Sequence, residues 1–134
     1  MKSEANVQAI ALYGFDHRVT RRGLYGDDTY FASQACKSHQ YTCGKKGHAN
    51  GCRCAVTRTV ILARVALGDS FLTSATMPEA RRPPKRHSSG ALYDSVLVNP
   101  GFIASHPNGN QGHQEFVTFD TAQAYPCYVI EYTV

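Results

Sequence analysis

No apolar stretch in this sequence approaches the roughly 18 to 20 residues that a helix needs to cross a bilayer, so it predicts no membrane-spanning segment. The opening residues, MKSEANVQAIALYGFD, lack the basic start and the long apolar segment of a secretory signal. No internal repeat is present, which argues against a solenoid. These absences predict a protein of the cytoplasm or the nucleus without a membrane partner.

The sequence also has no strong excess of positive or negative side chains. The 14 Lys and Arg residues against 10 Asp and Glu give a net charge of +4. Much of the excess lies in RRPPKRH, residues 81–87, and around Arg18, Arg21 and Arg22. Such a loop could contact phosphates of a nucleotide or a nucleic acid, and a solvated surface loop is the simpler interpretation. The sequence therefore does not require nucleic acid as a partner.

A disulfide framework is not indicated, because the five cysteines are odd in number and three of them crowd into residues 41–55, YTCGKKGHANGCRCA. Cys43, His48, Cys52 and Cys54 offer four ligands in the spacing C-x4-H-x3-C-x-C, and zinc takes four such ligands in a tetrahedron. The single residue between the last two cysteines is unusual for zinc. A flexible loop with idle thiols is the alternative. Because no carboxylate lies within the cluster, the prediction is a structural Zn2+ site.

Apolar and glycine patterns predict an α+β domain. Helices are expected at residues 7–12, VQAIAL, ending before Gly14, and at residues 33–41, SQACKSHQY. Residues 14–28 and 99–114 should be loops, and the proline-containing residues 68–92 should be irregular, with little strand pairing. The expected strands are residues 30–32, 57–67, 94–98, 115–120 and 127–134. Helices early and strands late favour a mainly antiparallel sheet, and 134 residues fit one domain.

One longer segment, GLYGDDTYFASQACKSHQY, resembles the catalytic domain of the poly(ADP-ribose) polymerases, and the tankyrases in particular. The family pattern has a Gly-aromatic-Gly turn, Tyr-Phe-Ala, and a Ser three residues before a Tyr. The similarity continues through the Cys/His loop, RVALGDSFL, SATM and HQEFVTFDTAQAYPCYVIEY, and so covers nearly all of the chain. Tankyrases carry a short zinc loop at the same place, with a different spacing. The resemblance implies the ADP-ribosyltransferase fold over residues 1–134.

The chemistry that this resemblance implies is cleavage of the nicotinamide glycosidic bond of NAD+ and transfer of ADP-ribose to a protein acceptor. By match to the family, Tyr41 would stack on the nicotinamide ring, Ser38 would hydrogen-bond its carboxamide and Tyr30 would line the opposite side. Glu115 would be catalytic, binding the ribose 2′-hydroxyl and stabilising the oxocarbenium-like ribose. Tyr30 and Tyr41 taken singly could be core aromatics. Glu115 shares an expected strand face with Val117, where a carboxylate is either paired or functional.

The sequence departs from the family pattern near its start. Family members carry a His-Gly pair before the first helix, which holds the adenosine ribose and the carboxamide. Aligning on GFD puts Lys2 and Ser3 at those positions, so we expect a domain that is incomplete at the N-terminus. Asp28 stands where the family commonly has a second glycine. Retention of Glu115 favours polymer extension by resemblance and the absent histidine favours single transfer, which leaves the product open.

Two alternatives to an active transferase follow from the same residues. One is an inactive interaction domain of the same fold, which would differ from the enzyme only in turnover. The other is a zinc-stabilised nucleic-acid-binding module, for which salt-sensitive binding and no dependence on Ser38 or Glu115 are expected.

Overall fold

The computed structural model describes residues 4–20, 22–43, 52–98 and 112–134, and these form two helices, six strands and two short 3-10 turns. The helices are α1, Glu4–Tyr13, and α2, Ala35–His39. The strands are β1, Thr29–Ala32, β2, Arg58–Val65, β3, Ser70–Thr73, β4, Ser95–Val98, β5, Glu115–Thr118, and β6, Ala124–Tyr132. None of the helices among these residues has the length and apolar character that a bilayer span requires.

The first helix ends where the sequence predicts, although it begins earlier than residue 7. Gly14 has a φ of 81°, and its N–H donates to the carbonyl of Ile10 at 2.9 Å. A glycine in the left-handed region is a common helix end, because it has no Cβ to strain that conformation. The second helix is shorter than predicted, and Tyr41 lies in the turn that follows it.

The strands form a four-stranded sheet in the order β1-β5-β4-β3 and a separate two-stranded ribbon of β2 and β6. Three of the four pairings are antiparallel, and β3 pairs with β4 in parallel. The mainly antiparallel α+β prediction is confirmed at this level. Residues 99–111, most of the predicted long loop, lie outside the described residues.

The prediction of an irregular segment over residues 68–92 is wrong at its beginning, where β3 forms. Its partner is β4, in the register Ser70 opposite Ser95 and Thr73 opposite Val98. The hydroxyls of Ser70 and Ser95 are 2.6 Å apart, and Phe71 packs on the core. A four-residue strand flanked by Gly68 and prolines is specified by this tertiary pairing more than by its own sequence.

The ribbon of β2 and β6 explains why the last strand begins earlier than predicted. Pairing extends back to Ala124, through Pro126, which stands opposite Ala63 at a shift of register between Leu62 and Ala63. Proline has no N–H to donate, so strands accept it at such irregularities. Pro126 therefore lies inside the strand, although the predicted strand began after it, at Cys127.

The core of the four-stranded sheet lies under its two central strands. Val96 and Val98 of β4 and Val117 of β5 are fully buried and pack with Tyr25. Thr118 and Ser95 are also buried and are opposite each other in the ladder. Strand β5 is therefore held on both sides, which fixes the position of Glu115 at its first residue.

Candidate active site and cysteine cluster

The four residues that the sequence assigns to NAD+ line one cleft of about 1290 Å³. Tyr30 comes from β1, Ser38 from α2, Tyr41 from the turn after it, and Glu115 from β5. Residues of α1 and of the β2–β6 ribbon form the rest of the wall. The fold thus brings together side chains that are up to 85 positions apart in the sequence, from Tyr30 to Glu115.

Glu115 is held between two strands and is paired with a lysine. It stands opposite Ala32 of β1 and Val98 of β4 in the ladder. Its Oε1 lies 3.5 Å from Nζ of Lys37, and the two side chains are only 17% and 19% exposed. A carboxylate shielded to this extent keeps its charge when a cation compensates it.

Lys37 joins Glu115 to Tyr41. Its ammonium donates to the Tyr41 hydroxyl at 3.3 Å and lies 5.3 Å from the centre of that ring. Burial acts to lower the pKa of Lys37, but the Glu115 carboxylate and Tyr41 outweigh it, so the pKa lies above its ordinary value. The sequence reasoning missed this residue. Its signal is the i, i+4 spacing from Lys37 to Tyr41, which places the two on one helical face.

Tyr30 uses its hydroxyl within the fold. The hydroxyl donates to the carbonyl of Gly26 at 2.8 Å and accepts from the N–H of Tyr25 at 2.9 Å. Burial, partly offset by that backbone hydrogen bond, raises the pKa of Tyr30. What Tyr30 offers to the cleft is therefore its ring.

Ser38 and Tyr41 are placed by a turn that continues α2. The N–H of Tyr41 donates to the carbonyl of Ser38 at 3.1 Å, which keeps the two residues on the same side of the chain. Ser38 is half-buried, and Tyr41 is 52% exposed. An exposed ring at the edge of a cleft is available for stacking on a planar ligand.

Three of the four predicted zinc ligands converge. The sulfur atoms of Cys43, Cys52 and Cys54 all lie within 4.8 Å of one another, with 3.3 Å from Cys43 to Cys54 and 3.1 Å from Cys52 to Cys54. A tetrahedral zinc site with Zn–S bonds of about 2.3 Å needs sulfurs roughly 3.8 Å apart, so the three thiols fit such an ion. The short Cys52–Cys54 spacing does not prevent this convergence. His48 lies outside the described residues.

A buried arginine lies under the three cysteines. The Arg58 side chain is 1% exposed; its Nη2 donates to the carbonyls of Cys52 and Cys54 and lies 3.6 Å from each of their sulfurs. Hydrogen bonds from Cys43, then Cys54 and Arg58, lower the pKa of Cys52, while the neighbouring thiols of Cys52 and Cys43 raise that of Cys54. The sequence could have indicated this arginine, because Arg58 is a charged residue at the start of the apolar strand β2.

Asp28 is a buried carboxylate immediately before β1. It is 4% exposed, and its Oδ2 has no hydrogen-bond partner within the described part of the chain. Burial, together with the neighbouring charge of Asp27, raises its pKa from 3.8 to about 7. The ionised form therefore costs stability in this position.

We predict that Asp28→Asn becomes more stabilising, relative to the unchanged chain, as the pH rises from about 4 to about 7. The carboxyl of Asp28 binds its proton more tightly in the folded chain than in the unfolded one. The protonated carboxyl therefore stabilises the fold fully below the unfolded pKa of 3.8, and this stabilisation is lost as the pH rises from there to the folded pKa of about 7. The expected gain at neutral pH is on the order of 1 to 3 kcal/mol. Thermal unfolding at several pH values measures it.

Asp16→Asn is the matched control for this titration. The Arg18 guanidinium, which donates to Asp16, lowers the pKa of that carboxyl to about 2. Its stabilising contribution is present above the unfolded pKa of 3.8 and is lost only as the pH falls towards about 2. The effect of Asp16→Asn should therefore stay constant between about pH 5 and 7. A constant effect of Asp28→Asn over the same interval would contradict the prediction.

Comparison with known proteins identifies the family. The model of the poly(ADP-ribose) polymerase catalytic domain matches residues 2–134, and the chain belongs to this family. It is 35% identical over 129 residues to protein mono-ADP-ribosyltransferase PARP12 of Homo sapiens, and 34% identical over 131 residues to that of Mus musculus. It is 27% identical over 140 residues to protein mono-ADP-ribosyltransferase PARP11 of Mus musculus.

These matches cover 94% to 95% of this chain but only 15% of PARP12 and 38% of PARP11, so the chain spans well under two thirds of these curated relatives. The family predicted from the sequence is confirmed. The narrower placement near the tankyrases is not supported by these relatives, which are PARP12 and PARP11.

Proposed function

We propose that this chain is an NAD+ ADP-ribosyltransferase that moves ADP-ribose from NAD+ to protein acceptors and releases nicotinamide. The observation that carries the proposal is the convergence of Tyr30, Ser38, Tyr41 and Glu115 on one cleft, with Glu115 paired to Lys37. Family membership supports the same reaction. The acceptors are protein side chains, and neither nucleic acid nor a membrane is needed.

In the proposed reaction, the bond between ribose C1′ and the nicotinamide nitrogen breaks, and nicotinamide leaves with the electron pair. The acceptor side chain then forms a bond to C1′ and loses its proton. Glu115 would stabilise the cationic ribose through its carboxylate, which the fold fixes before the reaction. Ser38 would hold the carboxamide, and the rings of Tyr41 and Tyr30 would hold nicotinamide between them.

Lys37 would keep Glu115 in place while the cleft is empty. Its ammonium holds both the carboxylate and the Tyr41 hydroxyl, so it links the ribose end of the site to the nicotinamide end. Preorganisation of this kind lowers the cost of reaching the transition state.

We further propose that the three converging cysteines, with His48 as fourth ligand, hold a structural Zn2+ ion. The donor set of three thiols is typical of zinc, and their separation fits one ion. The supply of thiolates favours a reducing compartment, the cytoplasm or the nucleus, as the place where the chain works.

The proposed product is a single ADP-ribose unit per acceptor site, since the relatives named above are mono-ADP-ribosyltransferases. Incubation of the chain with adenine-labelled NAD+ and a protein mixture should label discrete bands, and excess nicotinamide should suppress the label. A ladder of growing products would contradict single transfer and leave the transferase proposal standing. A folded chain that transfers no label and does not bind nicotinamide would contradict the transferase proposal itself.

A further inference from the structure

The segment that carries Ser38 and Tyr41 is tied to the β2–β6 ribbon by the residues that alternate with them. His39 and Thr42 point their polar atoms at the ribbon: Nδ1 of His39 lies 2.8 Å from the hydroxyl of Tyr132, and Oγ1 of Thr42 lies 3.5 Å from the same hydroxyl. Within residues 38–42, Ser38, Tyr41 and Thr42 line the cleft, and His39 and Thr42 take part in this polar network, so Thr42 belongs to both.

Arg58 extends the network to the cysteine cluster. Its Nη1 donates to Oγ1 of Thr42 at 3.2 Å, and that hydroxyl donates onward to the carbonyl of His39 at 2.8 Å. The other side of the guanidinium faces Cys52 and Cys54. Each hydrogen bond of this chain has one donor and one acceptor. The Thr42 hydroxyl accepts from Arg58 and donates its one proton to the carbonyl of His39.

The guanidinium depends on the cluster for its counter-charge. Within the described ranges, no ion pair joins Arg58 to a carboxylate, and its Nη2 lies 3.6 Å from the sulfurs of Cys52 and Cys54. A buried cation moves toward the groups that neutralise it, because its desolvation cost is otherwise unmet. Any change in the thiolates should therefore shift the guanidinium, and with it Thr42.

We propose that Arg58 is a positioning residue that transmits the state of the Cys43–Cys52–Cys54 cluster through Thr42 to Ser38 and Tyr41. It couples the cluster to the affinity of the nicotinamide end of the cleft. The inference rests on the proposed function, and it gives the cluster an effect on ligand binding in addition to the structural role predicted from the sequence.

The test is a double-mutant cycle in which nicotinamide is the probe and its dissociation constant is measured by calorimetry. Thr42→Val keeps the shape and removes the hydroxyl, so it should raise the dissociation constant about tenfold. Cys54→Ala, or removal of metal with a chelator, should raise it by a similar factor. In the Thr42→Val chain, Cys54→Ala or metal removal should raise the dissociation constant little further, because the hydrogen bond from Arg58 to Thr42 is already absent.

Two control variants separate positioning from general destabilisation. Thr42→Ser restores the hydroxyl and should restore affinity. Thr20→Val removes a hydroxyl that also donates to the carbonyl three residues before it, at 2.7 Å, but does not line the cleft, and should leave nicotinamide binding unchanged. All measurements are made below the thermal transition of each variant.

The outcomes distinguish the two proposals. If Thr42→Val and Cys54→Ala together weaken nicotinamide binding by the product of their separate effects, the two residues act independently. That result would overturn the transmission through Arg58 and leave the transferase proposal intact. So would normal binding by a folded Cys54→Ala chain. If the unchanged chain does not bind nicotinamide at all, the proposed function fails, and this inference fails with it.

Discussion

Glu115→Gln should lower the rate of ADP-ribosyl transfer by roughly 10² to 10³-fold while nicotinamide still binds. The amide has the same shape as the carboxylate and lacks the charge that would stabilise the cationic ribose. Lys37 loses its ion-pair partner in this variant, yet the contact of Lys37 with Tyr41 remains, so the nicotinamide end of the cleft should be preserved. Transfer of label from adenine-labelled NAD+ gives the rate, and calorimetry with nicotinamide gives the binding.

Glu79→Gln is the matched control for this variant. Glu79 is also paired with a cation, Arg22, at 3.1 Å, but its side chain is 79% exposed and it does not line the cleft. An exposed ion pair contributes little, so this substitution should leave the transfer rate within about twofold of the unchanged chain. Equal losses in both variants, or a Glu115→Gln chain with full activity, would contradict a catalytic role for Glu115.

The size of this expected effect follows from where β5 lies. Glu115 is the first residue of a strand that is paired on both sides, and Val117, two residues later on the same face, is fully buried. The sequence predicts this arrangement from the alternation in EFVT, because a carboxylate in register with core residues has few ways to reach water. The ion pair with Lys37 is the part of the site that alternation in one strand does not reveal.

The elements with strong local signals were predictable, and those formed by distant pairing were not. The valine-rich β2 and the glycine after α1 are specified by their own residues. The short β3 is formed by its register with β4, 25 residues later at Ser95, and the passage of β6 through Pro126 depends on the irregularity opposite Ala63. A pattern within one segment carries no information about such partners.

The same distinction holds for the site. The three cysteines were found because they are close together in the sequence, and Ser38 and Tyr41 were found through the resemblance to the family, whose pattern is compact there. Arg58 was missed because its function is defined by what surrounds it, carbonyls and sulfurs on one side and Thr42 on the other. Lone charged residues in a strand are ambiguous in sequence, and only packing shows whether the charge is buried.

The second large effect is expected from the cluster itself. Cys52→Ala together with Cys54→Ala should lower the melting temperature by roughly 10 °C or more and abolish zinc binding, because the ion loses two ligands and Arg58 loses the thiolates that compensate its charge. Calorimetric unfolding and metal analysis of the purified chain measure these two results. The expected loss is large because a structural zinc site binds only the folded chain and so stabilises it directly.

Cys36→Ala together with Cys127→Ala removes the same number of thiols from positions outside the cluster. Cys36 contacts His113 and Gln34, and Cys127 contacts the carbonyl of Tyr125, so this pair should change the melting temperature by only a few degrees and leave the zinc content at one ion per chain. Absence of zinc from the unchanged chain, or an unaltered melting temperature after the loss of Cys52 and Cys54, would refute the structural zinc site.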